Sequence, residues 1–519
     1  MNRIGHSYNL IRDRNRLFYF FFISAIFLLL ASLNIEKPTP GWEETFLTAP
    51  AISILKDRAV SSQFTTIQIG GRRWPIMEAP WIGAIESYII LPVYGMFGIS
   101  IYTLRITQIL LALIVGLLFG YLSFIMFNER VSKVTAPLIL FNAIYLFYGR
   151  TGFQGVMLVL WGTCALSLIF FWKWAKSKKI HWLYLGAFSM GLGMYGKLHF
   201  FWIVLGIIFG WILLMRSQSI TKVGAAKVIL AFVIGFSPYI IENIRTQGFE
   251  IHQLINLFLH PLDGSSNLEY LKHLGIRLKQ MTDAIQRTEY YMHESLLLRW
   301  LKTAPLILIG TLMLSKVRKK MGDKEKPIFF LLVCISSFML GVSFKGTPLG
   351  SNHVLVVLPL ILICSAAMLN VLFKNRYCLI FAVCIILIPD FFIIYNYHIM
   401  LKKMEKSAII ELSNFLISQR CYDPILVNGW CLESDINTMS RGKVFLAEGQ
   451  LIKEKEYEEY MKDKKERYIL IKNKKFNNDE TDKEGWLRFS QALQKNQRRV
   501  FTLKEYLIDG EIVSVCAIE

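Results

Sequence analysis

Residues 17–33 read LFYFFFISAIFLLLASL and carry no charge. A helix rises 1.5 Å per residue, so about 17 to 20 such residues cross a hydrocarbon core about 30 Å thick. The stretch is therefore read as a spanning helix. It follows Arg12, Arg14 and Arg16, as a secretory signal would. No small-x-small cleavage site comes after it, and the run Asn34-Ile35-Glu36-Lys37-Pro38 is a poor substitute, which makes it an anchor.

Comparable apolar runs recur along the chain. The further spans are expected at Ile106 to Phe127, Val134 to Tyr148, Val156 to Trp172, Trp182 to Lys197, Phe200 to Leu214, Lys227 to Ile241, Leu301 to Leu314, Ile328 to Phe344, Val354 to Phe373 and Tyr377 to Tyr397. With 54% of the 519 residues apolar and 18% charged, the composition is too apolar for a soluble protein of this size. The expected fold class is a polytopic α-helical membrane protein of about eleven transmembrane helices, followed by a small C-terminal α/β domain.

The net charge of +20 does not indicate nucleic acid, because of where the cations lie. They gather in short loops: Arg130 and Lys133; Lys173, Lys176, Lys178 and Lys179; Arg216, Lys222 and Lys227; Lys316, Arg318, Lys319 and Lys320; Lys374 and Arg376. Loops poor in cations alternate with them, and the positive-inside rule then assigns the basic loops and the N-terminus to the cytoplasm. An odd number of spans puts the C-terminal domain outside, and a bacterial plasma or inner membrane is the expected location. The tail is nearly balanced in charge and shows no nucleic-acid footprint. Cys164, Cys334, Cys364, Cys378 and Cys384 lie in apolar runs as small hydrophobes. Cys421, Cys431 and Cys516 in the tail allow at most one disulfide.

The membrane part is expected over residues 1–400 and the extracytoplasmic domain over 401–519. Two outward segments are long, 35–105 and 242–300. In the first, Glu43 to Lys56 reads as an amphipathic helix, Phe64 to Ile76 as a hairpin around Gly70-Gly71, and Trp81 to Phe97 as an interfacial helix. The second holds His252, His260, His273 and His293, too dispersed for a zinc signature. No cofactor is assigned, and a divalent metal stays open. In the tail, helical patterns at Lys403 to Gln419, Leu451 to Lys462 and Lys483 to Lys495 alternate with strand-like runs. Those runs are Ile425 to Asn428, Lys443 to Leu446, Arg467 to Ile471, Val500 to Leu507 and Ile512 to Ala517. The role expected of this domain is packing or acceptor recognition.

Directly after the first span comes Gly41-Trp42-Glu43-Glu44-Thr45-Phe46, two adjacent carboxylates at a helix start. A helix N-terminus favours anions by its dipole, so the pair alone can be helix-start decoration. Its surroundings say more. Glu78-Ala79-Pro80-Trp81 opens the interfacial helix, which ends in Phe97-Gly98-Ile99-Ser100-Ile101-Tyr102-Thr103-Leu104-Arg105. Tyr148-Gly149-Arg150-Thr151-Gly152-Phe153 and Gly191-Leu192-Gly193-Met194-Tyr195-Gly196-Lys197 follow in order.

In this order and spacing the pieces resemble the GT-C glycosyltransferases of the dolichyl-phosphate-mannose protein mannosyltransferase and lipid A aminoarabinose transferase type. The resemblance covers roughly Leu17 to Phe373. It implies an acidic catalytic motif after the first span, an FG-x-S-x-x-x-x-R entry into the second, an arginine-bearing turn between spans three and four, and a GLG-x-x-x-K helix end. Two positions depart from the pattern: Glu43 stands where the family usually has Asp, and Glu78-Ala79-Pro80 where it has Lys-Pro-Pro. The second departure leaves the donor phosphate one cation short.

Such a family implies transfer of a sugar from a polyprenyl-phosphate donor to a hydroxyl of an outward-facing lipid, glycan or protein, with membrane lipid as partner. The donor is already activated by its phosphate, and no GxxxxGK[ST] nucleotide loop is found. Attack by a hydroxyl needs a carboxylate base, and the departing phosphate needs fixed positive charge. Glu43 and Glu44 are the expected catalytic pair, Glu43 as base and Glu44 orienting it or the acceptor, with an exchange of the two roles left open. Arg105, Arg150, Lys197, Arg245 and His353 are the candidates for the phosphate. Snorkelling cations and an interfacial histidine account for the same residues without function.

Two other readings are open. A flippase for lipid-linked glycans would bind near the midplane on broken helices, whereas the long spans are read as lacking charge at mid-depth. A membrane scaffold would make the acidic pair incidental.

Overall fold

The charge-free stretch forms the second half of a helix in the computed structural model. The structure describes residues 2–38, 42–56, 65–79, 81–152, 156–214, 221–249, 251–252, 255, 270–286, 326–343, 351–404, 408–419, 425–428, 432–444, 446–448, 467–473, 500–508 and 511–518. In chain order the elements begin with α1 (Asn2–Ser32), α2 (Trp42–Phe46), α3 (Ala49–Leu55), β1 (Thr65–Ile69), β2 (Arg72–Ala79), β3 (Ile82–Gly83), α4 (Ile85–Phe97) and α5 (Ile101–Met126). Then come α6 (Glu129–Leu140), α7 (Ala143–Arg150), α8 (Met157–Ser177), α9 (Ile180–Gly196), α10 (Phe201–Leu214), α11 (Lys222–Arg245), α12 (Tyr270–Gln286), α13 (Lys326–Val342), α14 (Leu358–Leu372) and α15 (Arg376–Lys403). The tail adds α16 (Ala408–Ser418), β4 (Ile425–Asn428), α17 (Leu432–Met439), β5 (Leu446–Glu448), β6 (Arg467–Asn473), β7 (Val500–Ile508) and β8 (Glu511–Ile518).

Among the described residues, 6 helices are long and apolar enough to cross a membrane, or up to 7 if the bent pair α6 and α7 is one span. The count of about eleven expected from apolar runs is not reached among the described residues. The span expected at Leu301 to Leu314 lies outside the described residues. Three others lie at or below the lower end of the length that crosses, about 17 residues: α9 has 17 residues, α10 has 14 and α13 has 17. Between α9 and α10 the backbone leaves the α-helix at Lys197 and makes a 3₁₀ turn, Leu198–Phe200, dividing an apolar stretch that reads as nearly continuous.

The chain forms two compact units, Met1–Ile35 with Gln108–Lys402, and Glu36–Thr107 with Lys403–Glu519. The first is helical. Its core is built of side chains such as Phe27, Phe119, Leu140, Trp161, Phe200, Phe330 and Ile363, all buried. The bend of 60° between α6 and α7 leaves backbone N–H groups at the start of α7 without intrahelical acceptors. Asn142 accepts from Tyr145 N at 3.1 Å, and Asp390 of α15 accepts from Ala143 N at 2.9 Å. Asp390, 4% exposed, corrects the expectation that the long spans lack charge at mid-depth, and its job is a cap. Helices α9 and α11 cross where Gly191 faces Gly235. A methyl group on Gly191 would lie 2.2 Å from the Phe232 carbonyl oxygen, and one on Gly235 2.3 Å from that of Phe188. Small residues at such crossings let two backbones touch, and this contact fixes the helix that ends at Lys197.

The second unit contains the expected hairpin, with β1 paired antiparallel to β2 across a two-residue turn in which Gly70 and Gly71 both have positive φ. The expected helix Glu43 to Lys56 is two pieces, α2 and α3, and the interfacial helix begins at Ile85, after Trp81 (φ 64°) and β3. With 13 residues, α4 is too short to span. In the tail, five strands form one sheet in the order β5-β4-β6-β8-β7, parallel from β5 to β6 and antiparallel beyond. The tail core is Ile409, Leu412, Leu416, Ile436, Val444, Tyr506, Val513 and Val515. All five expected strands are present within a few residues. The expected helices at Leu451 to Lys462 and Lys483 to Lys495 lie outside the described residues, and α17 was not foreseen.

Because overpacking at a backbone contact costs about 1–3 kcal/mol, Gly235→Ala will lower the unfolding midpoint of the detergent-solubilised protein. Gly275→Ala, on α12 with nothing within 4 Å of the added carbon, will leave it unchanged or raised. Equal midpoints for the two variants would contradict the crossing.

Candidate active site

In the second unit the acidic motif lies on α2. Glu44 is 1% exposed and Arg105, in the first turns of α5, is 0% exposed. Arg105 donates from Nε to Glu44 Oε1 at 2.9 Å and from Nη2 to Oε2 at 3.0 Å. Two parallel charge-assisted bonds between planar groups fix orientation as well as distance. Glu43 precedes Glu44 on the same short helix, and its side chain lies outside the described residues. The next residue, Thr45, donates its hydroxyl to the carboxylate of Asp435 on α17. Both are buried, so the acidic helix is held from one side by α5 and from the other by the C-terminal domain.

Behind α2 lies a second pair of acids. Glu78, the last described side chain of β2, and Glu86, in the first turn of α4, are each 0% exposed. Burial, and then the charge of Glu86, push the Glu78 carboxyl well above the ordinary range; a hydrogen bond from Ser87 opposes this in part. Ser87 also donates to the Leu47 carbonyl at 3.0 Å, tying α4 to the chain after α2. Tyr88 donates to the Pro75 carbonyl at 2.6 Å, and burial with the charge of Glu78 pushes its phenol up to about 12. Tyr94, 2% exposed, is also raised: burial dominates, a hydrogen bond with Thr48 opposes it, and the charge of Glu44 adds to it.

The other expected cations belong to the first unit. Arg150 ends α7 and is 1% exposed. Its Nη1 donates to the Leu33 carbonyl at 2.6 Å and its Nη2 to that of Asn34 at 2.9 Å, with the guanidinium 5.4 Å from the Tyr397 ring centroid. These carbonyls follow the end of α1, so Arg150 satisfies acceptors that the helix leaves open. Arg245 ends α11, 45% exposed, with Glu242 at 3.5 Å one turn earlier.

Lys197 and His353 are brought together. Lys197, 8% exposed, caps α9. The 3₁₀ turn that follows carries His199, whose ring lies 5.5 Å from that of His353. His353 is the third residue of a turn, Ser351–Val357, anchored where Trp161 Nε1 donates to the Leu355 carbonyl at 3.1 Å. Lys197, His199 and Arg277 of α12 are the charged or titratable neighbours of His353. Arg277, 2% exposed, donates to the Val342 carbonyl at 3.3 Å and to Gln280 Oε1 at 2.8 Å. Among the described residues, His199 Nε2 and His353 Nδ1 are buried without a hydrogen-bond partner. Sequence reasoning missed His199 and Arg277. The first was visible as the residue two beyond Lys197, while the second sits in an amphipathic loop helix with no motif to mark it. Among the described residues no three His, Cys, Asp or Glu side chains converge as a metal site.

The Glu78 carboxyl sets a pH dependence. The folded group holds its proton to higher pH than the unfolded one, so stability falls as pH rises from the ordinary carboxylate range toward the raised value. Glu78→Gln removes that fall, and its unfolding midpoint will vary less than wild type between about pH 5 and 8. Parallel curves would show that Glu78 does not carry the effect.

No protein-family model and no curated protein matches the sequence. Solved structures do. ArnT from Cupriavidus metallidurans bound to undecaprenyl phosphate aligns with a TM-score of 0.59 at 11% identity, over 95% of this chain and 97% of that one. Its apo form aligns at 0.55 and 10% identity over the same shares. The apo oligosaccharyltransferase of Archaeoglobus fulgidus gives 0.49 at 11% identity, over 93% of this chain and 69% of that one. The chain is thus similar in fold to ArnT over nearly its whole length.

Proposed function

We propose that the protein is an inverting glycosyltransferase that moves a sugar from a polyprenyl-phosphate donor to a hydroxyl of a lipid, glycan or protein acceptor. The observation that carries this reading is the buried Glu44–Arg105 pair. It holds rigid the short helix bearing Glu43, where the GT-C resemblance puts the catalytic acid, on a chain similar in fold to a protein solved with undecaprenyl phosphate.

In the proposed reaction the acceptor oxygen attacks the anomeric carbon and its proton passes to Glu43. The bond from that carbon to the phosphate oxygen breaks, and the polyprenyl phosphate leaves with the electron pair. Glu44 and Arg105 act as positioning residues, because both carboxylate oxygens are engaged by the guanidinium. In the first unit, the cluster of Lys197, His199, Arg277 and His353 has the chemistry to receive a phosphate: two fixed cations and two imidazoles in a buried setting. Arg150 serves the end of α1, and Arg245 is left at the half-exposed end of α11.

The test is an assay of purified full-length protein with a panel of labelled polyprenyl-phosphate sugars, reading release of free lipid phosphate. One donor will be turned over. Loss of a general base costs about 10²- to 10⁴-fold, so Glu43→Gln will lose transfer by that much while expressing and inserting normally. Lys197→Gln will raise the donor KM more than it lowers kcat. Turnover of no donor, or wild-type rates in Glu43→Gln, would overturn the reading.

A further inference from the structure

The second unit contains a cavity of about 540 Å³ that the transfer chemistry does not use. Its walls come from the end of α3, the turn between α4 and α5, and the turn after α17. Two cations line it, Lys56 and Arg441, both exposed. Arg441 has a φ of 58° and Gly442 one of 67°, a double left-handed turn that glycine permits at its second position. A side chain at Gly442 would meet Lys56 Cε at 2.9 Å and Ile99 Cδ1 at 3.0 Å. The stem of Lys56 therefore lies across this turn, beside Arg441. Neither cation makes an ion pair among the described residues, and two like charges held at one concavity ask for an anion.

The opposite rim is apolar and exposed. Phe97, in the cavity wall, is 74% exposed, and Met96 beside it 69%. From Tyr102, also in the wall and 46% exposed, Ile106 follows four residues along α5, 48% exposed. Residues four apart share one helix face, so the two form an apolar stripe about 6 Å long on the helix. Tyr102 donates its hydroxyl to Glu36 at 2.6 Å, so one carboxylate also stands at the rim. A cationic wall that opens onto an apolar stripe matches one ligand chemistry: a phosphate head joined to a hydrocarbon chain.

We propose that this cleft binds the phosphate head of an anionic membrane phospholipid, with Lys56 and Arg441 on the phosphate and the chain along the α5 stripe. The site does not depend on the transferase reading, since none of these residues takes part in it. The experiment is native mass spectrometry of delipidated full-length protein, titrated with phosphatidylglycerol, phosphatidylcholine or inorganic phosphate. Wild type will retain one phosphatidylglycerol in preference to phosphatidylcholine. The double variant Lys56→Gln with Arg441→Gln will hold it about thirtyfold more weakly, as expected for two membrane-facing cations. The charge-conserving Lys56→Arg with Arg441→Lys will keep it, which separates charge from folding. Equal retention by wild type and the Gln variant overturns the site. Binding of inorganic phosphate without any preference for phosphatidylglycerol overturns the lipid as its occupant.

Discussion

Everything in the acidic motif rests on one buried ion pair, Glu44 with Arg105. Removing two charges from water is costly, and their attraction offsets this only with good geometry and full hydrogen bonding. Here both carboxylate oxygens receive N–H donors at 2.9 and 3.0 Å, with both side chains out of solvent. Such a pair adds little to stability compared with apolar side chains of the same volume. What it supplies is a fixed orientation. A five-residue helix has no cooperative stability of its own, and α2 keeps its place because α5 holds it by charge and α17 holds it through Thr45 and Asp435.

This gives the C-terminal domain a physical role. Among its described residues we recognise no catalytic constellation, yet Asp435 reaches back 390 residues to the helix of the acidic pair. The turn after α17 also supplies Arg441 and Gly442 to the cationic cleft. A tail that positions the acidic helix fits the grouping of residues 36–107 with the tail in one compact unit. The capping of α7 by Asp390 weakens the flippase reading in the same way, since a broken helix and a buried acid are here accounted for by a backbone N–H.

The sequence was legible where structure is local. Apolar runs gave the long helices, the Gly70-Gly71 pair gave the hairpin, and alternation gave the five tail strands. The fold shared with ArnT was legible from motif order. Features set by distant contacts were not. Apolar composition alone could not show that the backbone breaks at Lys197 and leaves α9 and α10 short. The pairing of Arg105 with Glu44 was hidden because nothing in its neighbourhood reveals a carboxylate 61 residues away. The acceptors of Arg150 were hidden for the same reason, lying just past the end of α1. His199 and Arg277 join Lys197 and His353 only once α9, α12 and the turn at Ser351–Val357 are folded.

The most direct test is a double-mutant cycle on the buried pair, read by unfolding of the full-length protein in detergent. Breaking one partner of such a pair costs about 3–5 kcal/mol, whereas replacing both with apolar groups is often near neutral. Glu44→Leu and Arg105→Met should each be strongly destabilised, and the double variant should recover most of that loss. Additive losses in the double variant would contradict the account, because Glu44 and Arg105 would then not be partners.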